Sequence, residues 1–130
     1  MDKKVLFIPG EVPSEKNSKR AFVDEATGKI RVQSSKFTNR YVRNKRNYGS
    51  AYRRQWHEMT KGKEYPLTVE FYFIRETEGD FDYNNLSQVL TDLMKKWGWI
   101  PDDSMRYVIP NFSRQYAVNP FNPGVEISVQ

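Results

Sequence analysis

Between Asn84 and Trp97, the apolar residues Leu86, Val89, Leu90, Leu93, Met94 and Trp97 recur at i, i+3, i+4, i+7, i+8 and i+11. Such a stripe is one face of an amphipathic helix, and it has to be buried against something. Gly98 stops the helix, Lys95 and Lys96 suit the negative end of its dipole, and Asp82 ahead of its first turn suits the positive end. The partner surface is close by in sequence. Pro66 to Arg75 alternates and carries β-branched or aromatic side chains at Val69, Phe71, Phe73 and Ile74, which predicts a central strand. A helix stripe covering a strand face commits the chain to an α/β (α+β) class with a mixed sheet.

The remaining elements read less sharply. Lys3 to Val12 predicts a strand with Val5, Phe7 and Pro9 on one face. Ala21-Phe22-Val23 and Lys29-Ile30-Arg31-Val32 read as a hairpin around Asp24-Glu25-Ala26-Thr27-Gly28. Ser34 or Ser35 is placed to cap a second main helix from Lys36 to Met59, breakable at Gly49, in which Phe37, Tyr41, Tyr48, Tyr52 and Trp56 recur at helical spacing. Met105 to Ile109, Arg114 to Val118 and Val125 to Val129 complete the strands. At 130 residues, one domain over 1–130 is expected.

Composition excludes several chemistries. The longest apolar runs, such as Val5-Leu6-Phe7-Ile8, are too short for a bilayer span or a signal-peptide core, which predicts a cytoplasmic protein without membrane contact. With no cysteine there is no disulfide, thiol nucleophile or cysteine-ligated zinc, and the one histidine, His57, reads as a surface residue. Any metal must therefore be held by oxygen, and no small-molecule cofactor is expected. Charge is polarised along the chain: residues 1–63 carry 16 Lys and Arg against 6 Asp and Glu, while residues 64–130 carry 5 against 10. One part suits a polyanion, and the other gathers carboxylates that repel one unless a divalent cation intervenes.

Those carboxylates surround the clear helix, with Asp80 and Asp82 before it, Asp92 within it and Asp102 and Asp103 after it. Acids at i and i+2 of an extended segment point the same way, and Mg²⁺ prefers carboxylate and carbonyl oxygens. Helix caps, dipole partners and a turn after Pro101 are the competing reading.

At these residues the sequence resembles the RusA family of Holliday-junction resolvases, whose pattern is Asp-x-Asp-Asn-x-x-Lys opening a helix, an Asp eight positions after the second acid and Asp-Asp ten further on. Asp82-Tyr83-Asn84-Asn85-Leu86-Ser87-Gln88 fits without a gap, with Asp92 on the helix acid and Asp102-Asp103 on the terminal pair. Val12-Pro13-Ser14-Glu15-Lys16-Asn17-Ser18-Lys19-Arg20 is similar to the family's basic N-terminal loop, and Pro123-Gly124-Val125-Glu126-Ile127 to its closing strand. Two positions depart from the pattern: Asn84 stands at the second acid and Gln88 at the lysine. The register that instead takes Asp80-Phe81-Asp82 as the acid pair leaves Asp92 and Asp102-Asp103 two positions out.

The resemblance implies a homodimeric, Mg²⁺-dependent (or Mn²⁺-dependent) endodeoxyribonuclease acting on four-way junctions or related branched DNA. Asp82, Asn84, Gln88 and Asp103 would be its catalytic positions, and Asp82, Asn84, Asp103, Asp102 and Asp80 its metal donors. The alternative is a branched-DNA-binding protein of the same fold with weakened catalysis. Lys16, Lys19, Arg20, Arg40, Arg43, Arg46, Arg53 and Arg54 are candidate phosphate contacts. Phe81 is a candidate wedge at the branch point, with core or dimer packing as the competing role.

Overall fold

A computed structural model describes residues 4–13, 19–23, 26–28, 30–34, 36–112 and 115–130. Among these the chain forms strands β1 (Leu6–Pro9), β2 (Lys19–Val23) and β3 (Ile30–Ser34), then helices α1 (Lys36–Asn44), α2 (Tyr48–Ala51) and α3 (Arg53–Thr60). Strand β4 (Leu67–Arg75) and helix α4 (Tyr83–Lys96) follow, then strands β5 (Val108–Asn111), β6 (Ala117–Val118) and β7 (Gly124–Val129). The result is a small mixed α+β fold with four helices where two main ones are expected. No helix among the described residues is long and apolar enough to cross a membrane.

Strand β4 occupies the middle of a mixed sheet, as its alternating sequence predicts. Along one edge it pairs antiparallel with β7, from Val69 opposite Val129 to Ile74 opposite Gly124, and β1 adds antiparallel beyond β7. Its other edge is shared: β5 runs parallel to Leu67–Glu70 and β6 parallel to Ile74–Arg75. β2 and β3 form a separate antiparallel hairpin. Because β5 is parallel to β4, α4 has to run back along the sheet between them. Its first turn therefore lies at the end where β4 finishes, and its last turn at the end where β4 starts.

One core joins sheet and helix. Leu67, Val69, Phe71 and Phe73 on one face of β4 are buried together with Leu86, Leu90, Leu93 and Met94 of α4, each such side chain contributing about 1.5–3 kcal/mol by leaving water. Two expectations are corrected here. In β1 the buried residues are Leu6 and Ile8, with Val5 exposed, because Leu6 pairs opposite Ile127 and Ile8 opposite Val125, both core residues of β7. The expected helix over Lys36 to Met59 is divided into three, and Gly49 lies within α2 rather than at a break. Tryptophans from the end of α4 explain the division. Trp97 Nε1 donates to Lys45 O at 3.1 Å, and Trp99 Nε1 donates to Gly49 O at 2.9 Å. A Cβ on Gly49 would fall 2.4 Å from the Trp97 ring. The helices thus bend around indoles that donate to their carbonyls, Lys45 O also accepting from Tyr48 N at 3.2 Å. Ser34 ends β3 and Ser35 lies outside the described residues, so neither is seen as a cap.

Candidate active site and nucleic-acid interface

The row Leu67, Val69, Phe71, Phe73 ends at Arg75, a cation where the period calls for an apolar side chain, and Arg75 is only 7% exposed. Its guanidinium is satisfied: Nη1 donates to Val12 O at 2.6 Å and Nε lies 3.2 Å from Glu11 Oε1. It also lies 5.0 Å from the centre of the Phe81 ring. Burial lowers the Arg75 pKa and the Glu11 carboxylate raises it. The residue clamps the end of β1 to the start of the acidic segment.

Beyond it the chain reaches Asp82, whose Oδ1 accepts from Asn84 N at 2.8 Å and so caps α4. Asp80, Asp82, Asn84 and Asn85 line a surface cleft of about 660 Å³ whose remaining wall is Phe81, Tyr83 and Phe112. Phe81 packs edge-on against Tyr83 and Tyr116, each at 4.9 Å, and Tyr83 lies 5.1 Å from Phe112. Both aromatics that flank Asp82 are half-buried members of one cluster against Phe73. Phe81 is thus packed against its neighbours on one side while still lining the cleft.

The other acids lie elsewhere. Asp102 pairs with Lys95 at 3.1 Å, and this ammonium, with the Asp103 backbone, holds its carboxyl below the usual carboxylate range. Lys95 belongs to the last turn of α4, whose 14 residues span about 21 Å at about 1.5 Å each. Asp82 and Asp102 are therefore held at opposite ends of α4 within one chain, and Asp103 is exposed. Asp92 pairs with Lys96 at 3.2 Å, and Gln88 is exposed one turn below Asn84. Among the described residues no three acidic or histidine side chains gather closely enough to hold a metal ion. What the cleft does offer is two carboxylates and an amide oxygen, all hard donors. These are the donor types that Mg²⁺ takes, commonly one or two carboxylates with several waters kept.

The cations are sorted by packing. Arg43, Arg46 and Arg53 line a cleft of about 620 Å³ with Asn39, Ser50 and Lys96, floored by Leu93 and Trp97. Arg53 is held in place by donating from Nη2 to Trp97 O at 2.6 Å. Arg54 faces a different hollow, shared with Lys4 and Glu58, and Arg40 is exposed on α1 outside both. Lys16 lies outside the described residues; Lys19 and Arg20 have their backbone in β2, and their side chains are not described. His57 is exposed, as expected.

Sequence reasoning missed Lys96 as a member of the cationic cleft, because its place in the last turn of α4 already had a sufficient explanation in the helix dipole. It also passed over Phe121, whose ring is 97% exposed. An aromatic inside the turn-forming run Asn119-Pro120-Phe121-Asn122-Pro123 was the available signal. No protein-family model and no curated protein sequence matches the chain.

Proposed function

We propose that this chain is a cytoplasmic RusA-like structure-specific endodeoxyribonuclease that acts on four-way or related branched DNA, as a homodimer with Mg²⁺. The observation that carries the reading is the cleft at the head of α4, where Asp80, Asp82 and Asn84 line one wall. The cationic cleft of Arg43, Arg46, Arg53 and Lys96 supports it with a surface suited to phosphates. When bound, the ion supplies a polarised water and neutralises charge on the scissile phosphate. Asp82 and Asp80 would hold the ion by charge, and Asn84 through its amide oxygen. Because Asp102 and Asp103 lie at the far end of α4, a site that also uses them has to be built from two copies. A two-fold pair with antiparallel α4 helices meets that need and also matches the approximate symmetry of a junction cut twice.

A second reading, a branched-DNA binder without turnover, is favoured by one observation: within one chain the described acids do not form a three-carboxylate group. The test is incubation with a synthetic four-way junction and a matched linear duplex, each with Mg²⁺, Mn²⁺ or EDTA. Metal-dependent junction cleavage is expected. Selective junction binding with no cleavage in either metal would establish the second reading, and equal binding to junction and duplex would remove both.

A further inference from the structure

We infer that Phe121 is the side chain that enters the branch point and unstacks a base step there, an inference that rests on the branched-DNA reading. Its ring is 97% exposed, yet the loop that carries it is held firmly. Asn119 Oδ1 accepts from the backbone N–H of Phe121 at 3.1 Å and of Asn122 at 3.3 Å. The two ends of the loop are tied to the sheet: Asn119 N donates to Arg75 O at 2.8 Å, and Gly10 N donates to Pro123 O at 2.9 Å. Pro120 and Pro123 restrict the backbone further. A ring presented this way loses little conformational freedom on insertion, which is the condition for an effective wedge.

Its place in the fold suits the same task. The Arg75 that anchors Asn119 through its carbonyl also sits against Phe81, beside the cleft of Asp80 and Asp82, and holds Val12, from which the segment bearing Lys16, Lys19 and Arg20 departs. Wedge, acidic cleft and the root of the basic segment thus share one end of the sheet. Nucleic-acid-bending proteins insert Phe, Leu, Ile, Met or Pro between base steps in this manner. A protein partner is less well served: among the described residues the large apolar side chain exposed beside Phe121 is Val118, 39% exposed opposite Arg75, while Asn119 and Asn122 flank the ring and Tyr65, Met105 and Ile109 lie at the other end of β4. Interfaces between proteins need a contiguous apolar centre.

The test places 2-aminopurine at the branch point of a four-way junction and measures its fluorescence with the wild-type protein and Phe121→Ala in EDTA. Wild type should raise the emission as the base unstacks. Phe121→Ala should lose most of that rise and roughly a factor of ten in preference for junction over duplex, the size of one base–aromatic stack. Phe121→Trp supplies a direct reading, because Trp56, Trp97 and Trp99 are buried and an exposed indole is quenched on stacking with a base. An unchanged 2-aminopurine signal with Phe121→Ala, while junction binding persists, would overturn the wedge and leave the branched-DNA reading standing. Dissociation of a wild-type dimer by Phe121→Ala would overturn it in favour of contact between copies, and a wild-type protein blind to the junction would overturn wedge and reading together.

Discussion

Lys95 Nζ lies 3.1 Å from Asp102 Oδ1, and this ion pair holds Asp102 beside the last turn of the helix whose first turn Asp82 caps. Two acids that the RusA resemblance would place on one ion thus lie toward opposite ends of a 14-residue helix about 21 Å long. If the ion site is formed between copies, Asp82→Asn and Asp103→Asn should each abolish cleavage alone. Mixing the two variants and allowing subunits to exchange should then restore about a quarter of wild-type activity, because half the pairs become mixed and each regains one intact site. Asn serves as well as Asp at a helix N-cap, so the first variant keeps its fold. A mixture that stays inactive would show that the acids do not meet across the dimer.

Asp80 shares the cleft with Asp82 and Asn84, which makes it the candidate for the carboxylate absent at Asn84. Asp80→Asn should raise the Mg²⁺ concentration needed for half-maximal junction cleavage several-fold, whereas Asn84→Asp should change it little. The opposite pattern, strong activation by Asn84→Asp and no effect of Asp80→Asn, would remove Asp80 from the site.

The phosphate binding proposed for the cationic cleft would have a salt signature. Replacing Arg43 and Arg46 together with Ala should reduce the slope of log affinity against log salt by up to about 1.8, near 0.9 for each phosphate no longer neutralised. Arg54→Ala, which alters the other hollow, should leave the slope unchanged. Electrophoretic binding titrations at several salt concentrations compare the three proteins directly.

Gly49 has no space for a side chain against Trp97. Gly49→Ala should destabilise the fold by about 1–3 kcal/mol through overpacking, despite the better helix propensity of Ala. Urea denaturation followed by tryptophan emission should show a lower midpoint with an unchanged slope.

The Tyr41 hydroxyl is buried without a hydrogen-bond partner among the described residues, and burial pushes its pKa up. Tyr41→Phe removes an unsatisfied polar group while keeping the ring, so it should be neutral or stabilising by about 1 kcal/mol. A loss of stability in the same denaturation assay would mean that this hydroxyl has a partner in solution.

Several features could be read directly from the chain because they depend on neighbours a few residues away. The period of Leu86 to Trp97 and the alternation of Val69, Phe71 and Phe73 define α4 and β4 through local backbone geometry, and Asp82 caps because an Asp oxygen reaches the N–H two residues on. The hairpin of β2 and β3 and the closing strand β7 were legible for the same reason.

Only the tertiary structure decided what depends on distant partners. Which face of β1 is buried was set by its register on β7, more than a hundred residues away in sequence. The breaks in the 36–59 region were set by Trp97 and Trp99, and the division of the arginines between two hollows by which of them the packing brings beside Leu93, Lys96 and Trp97 and which beside Lys4 and Val5. The acids show the difference most plainly. Their sequence spacing follows the family pattern throughout, but a rigid α-helix adds about 1.5 Å per residue, so the segment that keeps Asp82 and Asp102 in register along the chain is also what holds them apart in space.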